Sequence, residues 1–203
     1  MGWSLLTQER LRDAREYLII AQECYAKAGL KYGLAEVRND LGEVYRKEGG
    51  FGVAESLYRS SISLYRSIGA AKILTPRVNL ALALLGQERL DEASSLLEDC
   101  LEASRQQGRR TYEAGVHLAL GLCAARQGLW DKCMAHGVWG RLLIEDLEYV
   151  SAENGDFLQK TGTLALDAGE KSVAQEFLLG ARWHWERLKN SEALSEVDTL
   201  MRQ

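Results

Sequence analysis

Residues Leu84 to Ala93 read Leu-Leu-Gly-Gln-Glu-Arg-Leu-Asp-Glu-Ala, and this stretch recurs in edited form along the chain. Residues Leu5 to Ala14, 79 positions earlier, read Leu-Leu-Thr-Gln-Glu-Arg-Leu-Arg-Asp-Ala. Aligned on the small residue that follows the turn, five copies are separated by 40, 39, 40 and 41 residues, at Ala14, Ala54, Ala93, Cys133 and Ala174. A fixed period of about 40 residues indicates a repeat protein.

Each copy has large apolar residues at helical spacing on both sides of a short polar or glycine-containing turn. This pattern predicts two antiparallel helices per repeat. Small residues recur at fixed places in both helices, which lets the two helices approach closely. The predicted helices cover about residues 2–8, 11–28, 32–48, 52–67, 74–86, 90–106, 110–127, 130–147, 153–168, 171–188 and 191–202.

The pattern resembles the tetratricopeptide repeat, in a long variety of about 40 residues. Residues 35–68 are the best copy, with Leu41-Gly42, Tyr45, Ala54 and Tyr58 at the signature positions of the family. The resemblance implies an all-α fold, a right-handed α-solenoid of antiparallel helix pairs, with residues 191–202 as a C-terminal capping helix. Two departures are the missing proline near the end of the second helices and the irregular fourth copy around Cys133 and Gly137.

The repeat spacing predicts one repeat domain over residues 1–203. It consists of a truncated first unit (1–28), repeats at about 32–67, 74–106, 110–147 and 153–188, and the cap at 191–202. Because the first copy lacks most of its leading helix, we expect the chain to be the C-terminal part of a longer protein. The alternative is a complete small protein with a degenerate first helix.

Composition excludes several classes of function. The formal net charge of −4 gives no general attraction to nucleic acid or to an anionic membrane. The apolar runs are too short to cross a bilayer, and no signal-peptide pattern opens the chain. The four cysteines show no CxxC spacing, which favours free thiols and a cytoplasmic protein.

No catalytic motif is found in the sequence. A phosphate-binding loop, a GxSxG nucleophile and an HExxH zinc motif are all missing. The one metal-like group is Cys133 and His136 with His117 and Cys123 on the preceding helix, but Cys133 fills a slot that is Ala in other copies, which favours packing. His184, between two tryptophans, is interpreted as structural. We therefore predict no metal, no cofactor and no enzymatic activity.

The resemblance implies a binding surface on the concave side, formed by the first helix of each pair. Asn79 stands where an asparagine in this family often bonds the backbone of a bound peptide. We expect Leu82 and Leu122 to be partly exposed there, between Arg46 and Arg126, which would suit a hydrophobic segment with acidic flanks; the alternative is that these leucines are core. The predicted partner-binding residues are Asn39, Glu43, Arg46, Lys47, Val78, Asn79, Leu82, Leu85, Leu118, Leu122 and Arg126.

The leading functional hypothesis is a protein–protein interaction or scaffold module that binds a peptide or partner protein. The resemblance extends to repeat arrays attached to bacterial signalling proteins, namely serine/threonine kinases and large ATP-dependent transcription regulators. A kinase or ATPase domain of the parent protein would then lie outside this chain. Two alternatives stay open: a sensor for a small molecule or signalling peptide, and a self-assembly module that forms a homodimer.

Overall fold

The computed structural model describes residues 11–202. Ten α-helices lie in this range, which contains no strand. The helices are α1 (Leu11–Lys27), α2 (Lys31–Lys47), α3 (Phe51–Ser67), α4 (Leu74–Gly86), α5 (Leu90–Gln106), α6 (Arg110–Arg126), α7 (Trp130–Asp146), α8 (Ala152–Asp167), α9 (Lys171–Leu188) and α10 (Ser191–Leu200). The all-α prediction is confirmed, with helix ends within about two residues of those expected. The predicted helix at 2–8 lies outside the described residues.

The turn inside each helix pair is closed in the same way. Glu88, in the stretch that revealed the repeat, has a left-handed backbone with a φ of 59°, and Gly128 one repeat later has a φ of 70°. At both turns the amide of the following residue donates to the carbonyl five residues earlier, from Arg89 to Leu84 at 3.0 Å and from Leu129 to Ala124 at 2.9 Å. This is the Schellman arrangement, for which glycine is the least strained residue.

The chain divides into two compact units, one ending at Leu96 and one beginning at Leu97, both within α5. We call them the N-terminal unit and the C-terminal unit. Whether residues 1–203 form one domain stays a prediction. None of the helices formed by residues 11–202 combines the length and apolar character needed to cross a membrane.

In the N-terminal unit, α2 packs against α1, α3 and α4. The contact between α2 and α3 depends on small residues, as the repeat pattern predicts. A Cβ atom on Gly42 would lie 2.6 Å from the ring of Tyr58, so only glycine leaves room for this buried tyrosine. Ala54 and Ser61 are also fully buried, and the hydroxyl of Ser61 donates to the carbonyl of Ala35 at 2.7 Å.

In the C-terminal unit, α6 packs against α7 and α8, and α9 packs against α8 and α10. The irregular fourth copy has a packing explanation. Where other copies carry Leu or Tyr, Gly137 faces the ring of Phe177 from α9, and a Cβ atom at this position would overlap the ring. Cys133 is fully buried, as expected of a small packing residue. The aromatic ring of Phe177 therefore fills the space that the Leu or Tyr side chain at this position occupies in the other copies.

The small-residue positions give a direct test of the repeat register. Ala54→Leu or Ala93→Leu should each lower the free energy of unfolding by about 1–3 kcal/mol, because both alanines are fully buried and leucine overpacks the site. Ser63→Leu, at an exposed position of α3, is the control and should change stability by less than about 0.5 kcal/mol. Urea unfolding followed by circular dichroism measures all three. Equal effects at the buried and exposed positions would show that the register is wrong.

Candidate functional site

A chain of hydrogen bonds links two helices at the predicted binding residues of the N-terminal unit. The Nδ2 atom of Asn79 on α4 donates to Oδ1 of Asn39 on α2 at 3.0 Å, and Nδ2 of Asn39 donates to Oδ1 of Asp40 at 3.3 Å. Both asparagine side chains are 8% exposed. An ionised carboxylate only accepts hydrogen bonds, so Asp40 fixes the orientation of both amides. The structure thus brings together two asparagines of consecutive repeats, Asn39 and Asn79.

Carboxylates flank this amide pair on α2. Glu36, Asp40 and Glu43 recur at four- and three-residue spacing, so they share one side of the helix. Glu36 pairs with Nζ of Lys72 at 2.6 Å, and Glu43 with Nζ of Lys47 at 3.5 Å. We call Glu36, Asn39, Asp40, Glu43 and Asn79 the amide–acid face. Ion pairs with Lys72 and Lys47 partly fix its two glutamates.

Asp40 has an unusual protonation equilibrium. The pKa of its carboxyl is raised to about 6, mainly by burial; the hydrogen bond from Asn39 and the charge of Lys72 oppose the rise, and the negative charges of Glu43 and Glu36 favour it. The sequence analysis did not select Asp40. A signal was present, because Asp40 precedes Asn79 by 39 residues and occupies the same repeat position.

The other predicted residues differ in exposure. Arg46 and Val78 are half-buried and Lys47 is exposed, as a binding face requires. In the C-terminal unit, Arg126 is half-buried in the last turn of α6. Partner binding by these residues stays a prediction.

The predicted exposure of the leucines is wrong. Leu82, Leu85, Leu118 and Leu122 are only 5%, 4%, 1% and 2% exposed, so they belong to the core. The cause is visible in α4 and α6, where every residue of 80–85 and 116–125 is buried. A helix that is buried all round offers no open apolar stripe. A partner could contact these side chains only after rearrangement of the helices.

Two histidines in the C-terminal unit form a hydrogen-bonded pair. The Nδ1 atoms of His117 on α6 and His136 on α7 are 3.0 Å apart, and Nη2 of Arg105 lies 3.2 Å from Nε2 of His117. A guanidinium only donates, so Nε2 of His117 accepts and its Nδ1–H donates to His136. Nε of Arg105 is bound to Glu113 at 2.9 Å, which fixes the guanidinium. Both imidazoles are therefore held in their neutral form.

The protonation equilibria of this pair follow from that geometry. The pKa of His117 is lowered to about 4, mainly by burial, with His136 and Arg105 acting in the same direction and Glu113 opposing them. Burial likewise lowers the pKa of His136, and it raises the pKa of the nearby Cys133 thiol to about 12. A protonated thiol is a poor metal ligand. Within residues 11–202, no group of three or more His, Cys, Asp or Glu side chains could hold a metal ion.

His184 has a structural position at the start of α8. Its Nε2 atom lies 2.7 Å from the carbonyl oxygen and 2.8 Å from the amide nitrogen of Ser151, the N-cap residue of that helix. The side chain is fully buried, and burial lowers its pKa. The adjacent tryptophans divide between two environments, since Trp185 is buried and Trp183 is half-exposed beneath the guanidinium of Arg187.

Sequence comparison identifies one repeat directly. Residues 77–106, which include the stretch that revealed the period, match the model of the tetratricopeptide repeat family. The predicted tetratricopeptide repeat is confirmed for this segment. No curated protein sequence matches the chain.

Similar solved structures extend the likeness to nearly the whole chain. BtubC (BKLC) from P. vanneervenii is 18% identical, with 96% of this chain and 81% of that chain covered and a TM-score of 0.68. A Podosopora anserina protein assigned as a kinesin light chain, with nearly identical TPR-like repeats, is 15% identical, with 94% of each chain covered and a TM-score of 0.64. At these identities the likeness shows the fold, and it confirms the α-solenoid.

A third similar structure is a Rap protein complexed with Competence and Sporulation Factor. It is 14% identical to this chain, with a TM-score of 0.83. The match covers 97% of this chain and 55% of the Rap protein, so the chain spans about half the length of that protein.

Proposed function

We propose that this chain, a tetratricopeptide-repeat protein, is a non-enzymatic interaction module that binds a peptide segment of a partner protein on the amide–acid face. The observation that carries the proposal is the hydrogen-bond chain from Asn79 through Asn39 to Asp40. The TPR-like fold supports it, as does the similar structure of a Rap protein in complex with Competence and Sporulation Factor.

The amide pair suits recognition of a peptide backbone. An asparagine side chain has two N–H donors and a carbonyl that accepts two hydrogen bonds. In the pair, one N–H of Asn79 donates to the carbonyl oxygen of Asn39. The remaining N–H and carbonyl groups of the two amides can bind the C=O and N–H groups of a peptide backbone. Because the two amides are already oriented, a ligand does not have to order them on binding.

The charges of the face indicate the chemistry of the ligand. The carboxylates of Asp40 and Glu43 lie beside the amides, and burial of the four leucines removes the apolar contacts expected from the sequence. A peptide with a basic residue therefore fits this face better than the acidic-flanked hydrophobic segment predicted above. Opposite charge would act mainly on the association rate and on specificity.

Asn79→Ala tests the proposal. Peptides are first selected from a random displayed library against the wild-type protein. We expect Asn79→Ala to weaken the selected peptides at least tenfold, because it removes a backbone contact and releases Asn39, while loss of the buried internal hydrogen bond costs about 1–3 kcal/mol of stability. Isothermal titration calorimetry measures affinity and thermal unfolding measures stability.

Gln107→Ala, at an exposed amide side chain outside this face, is the control and should bind like the wild type. If no peptide is enriched, or if the enriched peptides bind Asn79→Ala equally well, the proposal is wrong.

The wider role follows the family resemblance. We propose a regulatory, cytoplasmic part in bacterial signalling, in which the module recruits or senses a partner. A sensor for a small molecule would be stabilised by that molecule without a protein partner. A self-assembly module would instead show a mass that rises with concentration, as a homodimer does. Thermal-shift screening and light scattering separate these alternatives from peptide binding.

A further inference from the structure

A groove in the C-terminal unit lies between α8 and the capping helix α10. Its volume is about 610 Å³, within the range of about 300–1,000 Å³ that is typical of ligand sites. Side chains of both helices line it, including Gln159 and Thr163 of α8 and Glu192, Glu196, Thr199 and Leu200 of α10. The lining combines aliphatic and methyl groups with two carboxylates.

A hydrogen-bond relay from the core fixes one of these carboxylates. Nε1 of the buried Trp185 donates to Oε1 of Gln159 at 2.9 Å, and Nε2 of Gln159 donates to Oε2 of Glu196 at 3.0 Å. An indole only donates, so it sets the orientation of the amide and directs its NH₂ group to Glu196. Glu196 is thus held at the groove by a buried side chain of α9.

The charged side chains that line the groove are all negative. Glu192 precedes Glu196 by one helical turn, and among the described residues that line the groove these two alone are charged. Two cations, Arg182 of α9 and Lys160 of α8, have acidic partners outside the groove lining. Arg182 is bound to Asp198 at 3.0 Å and to Glu186 at 3.1 Å, and Lys160 lies 4.0 Å from Asp156.

We propose that the groove between α8 and α10 binds a lysine or arginine side chain of a partner peptide. The aliphatic stem of the basic side chain contacts Leu200 and the methyl groups of Thr163 and Thr199. Its cationic head lies between Glu192 and Glu196. Long basic side chains combine an apolar stem with a charged tip, which matches this lining. The site does not depend on the amide–acid face, so either proposal can fail alone.

The test uses a seven-residue peptide with acetyl and amide ends, Gly-Ala-Leu-Lys-Leu-Ala-Gly, and its analogue with norleucine in place of lysine. Two-dimensional ¹H–¹⁵N NMR of the full chain follows the indole signal of Trp185, assigned with Trp185→Phe, and the amides of α10. We expect the lysine peptide to shift these signals and the norleucine peptide to bind at least tenfold more weakly. Raising the salt concentration should weaken the lysine peptide further.

Glu192→Gln with Glu196→Gln should weaken the lysine peptide at least tenfold. Glu192→Gln alone should weaken it about threefold, and this variant keeps the relay from Trp185 intact. The charge-matched control is Glu102→Gln with Glu148→Gln, two exposed glutamates that do not line the groove, and it should bind like the wild type. Asn79→Ala should also leave this binding unchanged.

Three results would overturn the proposal: no shift of the Trp185 signal at millimolar lysine peptide, equal binding of the norleucine peptide, or unchanged binding by Glu192→Gln. If instead the peptide shifts only signals of α2 and α4, the groove proposal is wrong and the proposed function at the amide–acid face is supported.

Discussion

The double variant Leu82→Ser with Leu122→Ser will unfold at a much lower urea concentration than the wild-type protein. Both leucines are almost fully buried, at 5% and 2% exposed. Truncation of a buried leucine costs about 2–5 kcal/mol of stability. Burial of a serine hydroxyl without a hydrogen-bond partner adds to that loss. The two changes together therefore approach the whole stability of a typical domain, about 5–15 kcal/mol.

Two controls separate loss of packing from other effects. Leu142→Ser with Leu179→Ser changes the same residue type where the side chains are 45% and 46% exposed, and it should cost far less. Leu82→Met with Leu122→Met keeps the volume and should cost less than about 1.5 kcal/mol per site. If the serine variant kept its midpoint, Leu82 and Leu122 would line an open groove after all, as the sequence suggested.

The second large effect is a loss of stability of the C-terminal unit in acid. The pKa of His117 is about 4 in the folded protein and about 6.5 in an unfolded chain. A lowered folded pKa means that the unfolded chain binds more protons, so the stabilisation is complete above pH 6.5 and is lost as the pH falls toward 4. The lowered pKa of His117 alone corresponds to a loss of about 3 kcal/mol in the free energy of unfolding over this pH range. The lowered pKa values of His136 and His184 act in the same direction.

In the N-terminal unit, Asp40 should act in the opposite direction. This unit contains no histidine, and the pKa of Asp40 is raised from 3.8 to about 6. The folded state then binds more protons than the unfolded chain, so protonation of Asp40 stabilises this unit as the pH falls from about 6 toward 4. Hydrogen exchange resolved by helix, with rates corrected for pH, measures the two units separately.

His117→Gln is the variant that isolates the acid effect. It should reduce the pH dependence of protection in α6 and α7 and leave that of α2 unchanged. The charged groups around the pair are Arg105 and Glu98 of α5, Glu113 of α6 and Lys132 of α7. A wild-type C-terminal unit that is equally protected at pH 7 and pH 4.5 would contradict the neutral, hydrogen-bonded histidine pair.

The fold was accessible from sequence because one signal recurs. The period that relates Ala54 to Ala93 fixes the register, and the turns at Glu88 and Gly128 then locate the helix ends. Local spacing along one helix is enough for that inference. Gly137 appeared irregular because its reason lies on another helix, in the ring of Phe177.

The candidate site was only partly accessible. Asn79 and Asn39 could be selected from their repeat positions, and Asp40 could have been found in the same way. The burial of Leu82 and Leu122 could not, because apolar spacing does not say how many neighbouring helices cover a side chain. The pairing of His117 with His136 depends on the reach of Arg105, and the relay to Glu196 depends on the orientation of an indole. Neither leaves a trace in the repeat pattern.

The shared turn geometry has a consequence for how such a gene can change length. The left-handed residues Glu88, Gly128 and Gly169 follow one another at steps of 40 and 41 residues and occupy equivalent Schellman turns. Duplication or excision of the segment between two of them would join the end of one helix to the start of another in an unchanged backbone conformation. Recombination between neighbouring copies can therefore add or remove about 40 codons without the need for a new loop.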